Sequence, residues 1–327
     1  MNTAIKQWRF TNRVHPSGKE QNMMKAETNE AVLSIVLTAG WVAMIAAGLS
    51  IVPRAAAVLE YTPDASTVAL WHANEANQLV TSSGSPLLID SATSPASEDL
   101  TPAIPSGTDS ITYGANGLLG GAVGNMVVSS GGAGYLWGFD ADFNNTTGFT
   151  MEMWFKPSSG TGPSSQTLAS RWAQSDGQAR AFDLFVHTTN NKVNLFVQDE
   201  DDAVTQLVQS NTYDPAIWNH VAFVYDASDN DSVKLFVTPL GDTTANLVAS
   251  TNLATTINEH FLPGGRFSLL NNFGAVSDRG FRGLLDEVRF SSVARSPSEF
   301  TTLIPEPGTM GFLALGAVMI LRRRRPR

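Results

Sequence analysis

Residues 149–157 read FTMEMWFKP, and the reading of this stretch decides the fold. Phe149, Met151, Met153 and Phe155 alternate with Thr150, Glu152, Trp154 and Lys156, and Pro157 closes the run. A period of two sends one set to each face of a strand, and proline ends the ladder because it has no N–H to donate. The signal repeats downstream. Phe182–Val186 and Val193–Val197 flank Thr188–Lys192 and predict a hairpin through Asn190-Asn191. Ile217–Tyr225 (IWNHVAFVY) and Val233–Val237 (VKLFV) flank Asp226–Ser232, a second hairpin with an Asp/Asn-rich turn. Arg266–Leu270 and Phe281–Phe290 follow, and Val68–Trp71 opens the region upstream as a short apolar strand. Residues 81–117, rich in Ser, Thr, Pro and Gly, read as a long surface excursion with one short strand at Leu87–Ile89. Helical signal is confined to one turn at Ser296–Leu303, where Ser296 fits an N-cap and Pro297 the first helical position. Many short strands joined by turns predict an all-β protein, an antiparallel sandwich of two sheets.

The sandwich falls within residues 58–303, a length ordinary for a single sandwich. Charge in this segment is lopsided: ten Lys/Arg against 26 Asp/Glu, a net −16, while the whole chain carries −9 because both ends are basic. A negative surface argues against nucleic acid or anionic lipid held by a basic patch, and is compatible with neutral glycans or divalent cations. The chain has no cysteine, which excludes disulfides, thiol redox chemistry and Cys-ligated metals.

The two ends read as addresses rather than structure. Residues 1–57 form an N-terminal extension and signal peptide: Ala31–Val52 is apolar, Pro53-Arg54 breaks it, and Ala55-Ala56-Ala57 offers a small-residue cleavage site. The alternative is an uncleaved anchor. Thirty residues is long for the polar region before Ala31, and Lys19-Glu20 can be encoded AAG-GAG, a ribosome-binding sequence spaced to suit a start at Met23 or Met24. At the other end, residues 304–327 hold Pro305-Glu306-Pro307, an apolar run from Met310 to Leu321, and Arg322, Arg323, Arg324 and Arg325. A short hydrophobic helix of those residues rises about 18 Å, less than the roughly 30 Å of a bilayer core. The arginines favour the cytoplasmic side, leaving the sandwich outside.

The order Pro-Glu-Pro, apolar run, Arg cluster resembles the PEP-CTERM sorting signal of Gram-negative bacteria. That resemblance implies an exosortase-like processing enzyme as partner, transient residence in the inner membrane, and delivery to the cell surface or an exopolysaccharide matrix. An ordinary tail anchor is the alternative. The middle of the chain resembles the laminin-G-like part of the concanavalin A-like lectin/glucanase superfamily through Gly121-Ala122, Phe149–Pro157, Trp218–Tyr225 (WNHVAFVY) and Gly283–Arg289 (GLLDEVR) with Ser291–Phe300 behind it. It implies a jelly-roll over roughly residues 66–300. One departure is Thr238-Pro239-Leu240-Gly241, where the family usually ends a strand in Asp-Gly.

The residues offer little for catalysis. Hydrolases of this superfamily place two or three acids on one strand, whereas Glu152 stands alone on its strand and Asp199–Asp202 lies at a strand end without alternation, as a solvated loop. His72, His187, His220 and His260 lie near no Gly-x-Ser-x-Gly elbow, and His220 reads as structural. No cluster has zinc spacing, and Gly117, Gly120, Gly121 and Gly124 precede no helix that would cradle a phosphate. The resemblance implies a structural Ca²⁺ joining an early loop to the last strand, with Glu75, Asp90 and Asp286 at the matching positions. Asp286 pairing with Arg289 or bonding a turn is the alternative. Of five tryptophans in residues 58–303, Trp154 and Trp218 match core positions, while Trp137 and Trp172 flank Gly/Ser-rich loops and are candidates for stacking on a sugar, with Asn271-Asn272 as amide donors. The expectation is a non-catalytic binding module for glycan or protein. A secreted glycan hydrolase or lyase and a purely structural matrix protein are the rival classes.

Overall fold

The computed structural model describes residues 60–300 apart from 77, 93–96, 105–109, 126–133, 140–142, 144, 159–162, 173–179, 259–265 and 273–278, together with the backbone of 56–57 and 304–305. The chain divides into units Met1–Arg54 and Ala55–Arg327, and the first lies outside the described residues. So do Glu306, Pro307 and Arg322–Arg325 of the expected sorting signal. Among the described residues no helix is long and apolar enough to cross a membrane.

In chain order the strands are β1 (Ala56–Ala57), β2 (Thr67–Trp71), β3 (Gln78–Val80), β4 (Thr101–Ala103), β5 (Ile111–Tyr113), β6 (Val123–Asn125), β7 (Tyr135–Phe139), β8 (Gly148–Pro157) and β9 (Ser165–Trp172). Then come β10 (Arg180–His187), β11 (Lys192–Gln198), β12 (Val204–Val208), β13 (Asn219–Asp226), β14 (Ser232–Pro239), β15 (Leu247–Asn252), β16 (Arg266–Leu269), β17 (Gly283–Ser291) and β18 (Ile304–Pro305). One sheet runs β12-β11-β10-β9-β16-β7-β4. The other runs β15-β14-β13-β8-β17-β6-β5-β3 with β2 joined to β17, and β1 pairs with β18. The named strands pair antiparallel throughout, as a jelly-roll sandwich requires.

Strand β8 lies at the centre of the nine-stranded sheet, between β13 and β17. Phe149, Met151, Met153 and Phe155 enter the core between the sheets, as their period requires. Thr150, Glu152 and Trp154 are buried as well, on the other face. Trp154 packs there with Trp218 and Ala122, and Tyr61 and Phe300 are buried at the same face, so the alternation is apolar against covered rather than apolar against solvent. Aromatic rings join the two sheets. Trp71 of β2 stacks on Phe267 of β16 at 5.5 Å, Phe143 sits 4.9 Å from Phe267 and 5.2 Å from Phe290, and Phe182 lies 5.2 Å from Phe223.

Local details follow the turn chemistry. Asn191 takes φ 52° in the β10–β11 turn, and Asp226 Oδ1 accepts the Ser228 N–H at 3.0 Å to open the β13–β14 turn. At Thr238–Gly241 the missing Asp-Gly is replaced by a turn with Gly241 at φ +112°, closed by Asp242 N–H to Pro239 O at 3.2 Å. The Ser296 turn is a 3-10 helix, Pro297–Glu299, with Glu299 Oε2 accepting from the Ser296 N–H at 2.8 Å. The excursion at 81–117 is more ordered than its composition suggests: β4 and β5 lie in it, and Leu88 bridges Leu100. Three-residue strands are too short to display a period, so the sequence hides them.

Candidate ligand-binding face

The outer face of the seven-stranded sheet carries one continuous row across all its strands. Register places Gln206, Phe196, Asp183, Ser170, Ser268, Trp137 and Thr101 side by side, from β12 to β4. Their chain neighbours Leu207, Leu195, Leu184, Ala169, Leu269 and Leu136 are in the core, which turns the row outward. Ser170 and Ser268, both buried, are the small residues at the middle of the row; Phe196 and Trp137, both half-buried, lie on either side. Four strand spacings separate these two aromatics, about 19 Å in a flat sheet. On one side of the row Phe185 lies across from Asn194, and its ring is 5.0 Å from that of Phe196.

Behind the row lies a polar group of four. The Thr167 N–H donates to Arg279 O at 2.8 Å, which lays Arg279 along β9. Its Nη1 then reaches Asp183 Oδ2 at 2.5 Å, and its guanidinium sits 5.3 Å from the Phe185 ring centre. Thr167 Oγ1 has one hydrogen and faces two acceptors, Asp183 Oδ1 at 3.1 Å and Asn272 Oδ1 at 2.6 Å. Burial pushes the Asp183 carboxyl up to about 6, against the lowering effect of the Arg279 charge and the Thr167 bond. The folded state therefore holds this proton more tightly than the unfolded chain, whose value is near 3.8. The contribution to stability is complete below about pH 4 and is lost as pH rises towards 6, by up to about 3 kcal/mol. In urea titrations between pH 4 and 7, the stability gap between the wild type and Asp183→Asn should change by that amount. A gap independent of pH would contradict the assignment.

The nine-stranded sheet carries a second, closed group on its outer face. Arg289 and Glu152 are direct cross-strand partners, with Nε and Nη2 of the arginine 2.8 and 2.5 Å from Glu152 Oε1. Tyr61 OH meets Glu152 Oε2 at 3.2 Å and His220 Nε2 at 2.9 Å, and the Arg289 guanidinium lies 4.5 Å from the Tyr61 ring centre. Burial would raise the Glu152 carboxyl, but its bonds to His220 and Arg289 outweigh that and hold it below the usual range. Glu152, isolated in its own strand, is thus provided for by its neighbours, and His220 is a buried bonding partner within the network.

A bulge in β17 leaves both Asp286 and Glu287 between the core residues Leu285 and Val288, with Glu287 at φ 49°. Glu287 accepts the Tyr61 N–H at 2.6 Å and lies 2.7 Å from His72 Nδ1, which is 3.5 Å from Glu60. Burial opposes a charge on His72, yet Glu287 and Glu60 raise its pKa above the usual 6.5. That contribution to stability is present below about pH 6.5 and is lost as pH rises through the higher folded-state value. Substituting His72→Gln should remove this alkaline loss, read as convergence of the two melting temperatures above neutral pH.

The structure does not bring the expected calcium ligands together. Glu75 accepts the Ile89 N–H, Asp90 accepts from Leu70, Ala92 and Glu98, and Asp286 accepts from Leu118 and Leu119 in the turn before Gly121. Each carboxylate accepts from its own stretch of backbone, while Glu75 Oε2 and Asp286 Oδ1 are buried without a partner. Among the described residues, Glu60, His72 and Glu287 are the one His/acid set whose ligand atoms lie within 4.8 Å of one another. Asp199 is buried rather than solvated and accepts from Asp201 and Ala203, shaping the β11–β12 turn. Trp137 is in the row; Trp172 ends β9, and its side chain lies outside the described residues. Phe196, Asp183, Ser170, Ser268 and Arg279 were not singled out by sequence. Alternation in Phe182–Val186 and Val193–Val197 could have shown that Asp183, Phe185 and Phe196 face away from the core.

A match to the concanavalin A-like lectin/glucanases superfamily covers residues 130–300, and the chain belongs to that superfamily. No curated protein matches it. Among solved structures, a carbohydrate-binding module (CBM40) of the Ruminococcus gnavus IT-sialidase is 17% identical, with 54% of this chain and 94% of that one covered at a TM-score of 0.41. The botulinum neurotoxin type G receptor-binding domain is 10% identical, with coverages of 72% and 50% and a TM-score of 0.44. The NanB sialidase from Streptococcus pneumoniae is 17% identical, with coverages of 49% and 24% and a TM-score of 0.38.

Proposed function

We propose that this chain is an exported, non-catalytic binding module that holds a glycan along the outer face of its seven-stranded sheet. The observation that carries the reading is the pair of half-buried aromatics, Phe196 and Trp137, at either side of one outer row whose middle is kept low by the small buried residues Ser170 and Ser268. A pyranose presents apolar C–H faces, and aromatic rings are what such faces stack on. The strands of this sheet contain a single carboxylate, Asp183, and it is fully buried and paired. Glycoside hydrolysis uses two carboxyl groups flanking the bond, so this favours binding over turnover. Export rests on the terminal segments. The N-terminal one directs secretion, and the Pro-Glu-Pro tail is processed by an exosortase-like enzyme that delivers the module to the cell surface or an exopolysaccharide matrix.

The test is a glycan array probed with the full-length chain, with and without chelator, alongside a polysaccharide turnover assay. Retention of at least one glycan without turnover is expected. Turnover would make the protein an enzyme, and failure to retain any glycan would make it a structural component.

A further inference from the structure

The net charge of −16 in residues 58–303 hides an opposite bias in one sheet. Strands of the seven-stranded sheet contain Arg171, Arg180, Lys192 and Arg266 against Asp183 alone, whereas those of the nine-stranded sheet contain Lys156, Lys234 and Arg289 against Glu152, Asp226, Asp286 and Glu287. The candidate ligand face therefore lies on the sheet whose strands are the more basic in sequence, although Arg171 is buried against Phe143 O on the inner side. Arg279 is added to that face beside β9.

Arg279 is built as a receptor group. Its side chain is 24% exposed, it lies over the Phe185 ring, and one of its five N–H donors is held by Asp183, whose side chain is 0% exposed. A ligand arriving from solvent meets the cation, because its counter-ion is covered. Among the described residues no other partner engages the remaining donors of Arg279. Beside it in the same network, Asn272 is 1% exposed, with one end of its amide against Thr167 Oγ1 and the other end buried without a partner. A buried amide end left open costs stability unless a group of the ligand pairs with it. The open group beside Asp183 that faces solvent is thus a planar cationic fork.

We infer that the Arg279–Asn272 corner of this face is a subsite for a sugar carboxylate, so that the ligand is an acidic, uronate-type glycan rather than a neutral one. A planar carboxylate can bridge the open edge of a guanidinium with two parallel bonds, a geometry that a neutral hydroxyl or a lysine ammonium does not reproduce. The guanidinium lies over the Phe185 ring and is tied to Asp183, which limits the freedom it loses on binding. This inference rests on the glycan-binding reading above and names its ligand class.

The experiment compares binding of the full-length wild-type chain to an oligogalacturonate, to the same oligomer with its carboxyls reduced, to a sulfated oligosaccharide and to a neutral glucan. The carboxylated oligomer should bind about tenfold to a hundredfold more tightly than its reduced form. Arg279→Lys should bring the two together while leaving the melting temperature within a few degrees. Equal affinity of the wild type for the carboxylated and reduced forms would overturn the inference and leave the glycan-binding reading standing. Preference for the sulfated sugar alone would also overturn it, and binding to no glycan would remove both. The wild-type comparison decides the matter even if the variant does not fold.

Discussion

Glu152→Ala should lower the free energy of unfolding by about 3–5 kcal/mol, a large part of what a single domain has. The carboxylate is fully buried at the centre of the nine-stranded sheet and bonds Arg289, His220 and Tyr61 at once. Removing it strands the Arg289 charge away from water and takes an acceptor from Tyr61 and His220, which keep only their bond to each other. Most of the loss comes from these orphaned partners, not from the attraction itself. The double substitution Glu152→Met with Arg289→Leu should therefore recover much of the stability that the single one loses. Because its partners hold Glu152 below the usual carboxylate range, its contribution is present above its unfolded value near 4.5 and is lost as pH falls through the lower folded value. Urea unfolding of the wild type and both variants at neutral pH measures this. A loss under about 1 kcal/mol for Glu152→Ala would mean the network is peripheral.

Trp71→Ala is expected to cost about 3–5 kcal/mol as well, for a different reason. The indole is fully buried on β2 and stacks on Phe267 of the opposite sheet, with Phe143 at 6.3 Å. Its Nε1–H also donates to Glu98 O at 3.0 Å. Truncation opens a cavity between the layers and leaves that carbonyl without its donor. Trp71→Phe keeps most of the stacking and should recover a large fraction of the loss, as seen in the urea midpoint. If the alanine variant unfolds within 1 kcal/mol of the wild type, the aromatic ladder does not hold the sheets together.

The sandwich was legible because β8, β10, β11, β13 and β14 are long enough to show a two-residue period, and their turns carry Asn and Asp where positive φ or side-chain capping is needed. Strands β4 and β5 were not, at three residues each within a Ser/Pro-rich stretch. Trp137 was legible as a ligand candidate from its loop-like surroundings, yet its partners in the row were not. Phe196, Asp183 and Ser268 come from three separate strands, and only register places them beside one another. The calcium assignment followed residue type and position along the chain. Neither says which backbone N–H groups a carboxylate accepts from, as Asp90 does from Leu70 and Asp286 Oδ2 does from Leu118. Charge shows the same limit: a net value for the segment says nothing about which sheet carries the arginines.

The most direct test of the binding-face claim is calorimetric titration of whichever glycan the array ranks first into the full-length wild type, Trp137→Ala, Phe196→Ala and the double variant, with Val293→Ala as a distant surface control. Each ring truncation should weaken binding about tenfold, and the double variant should show no measurable heat of binding, while the control binds as the wild type does. Unchanged affinity in the double variant, with its melting temperature intact, would place the ligand elsewhere and contradict the account.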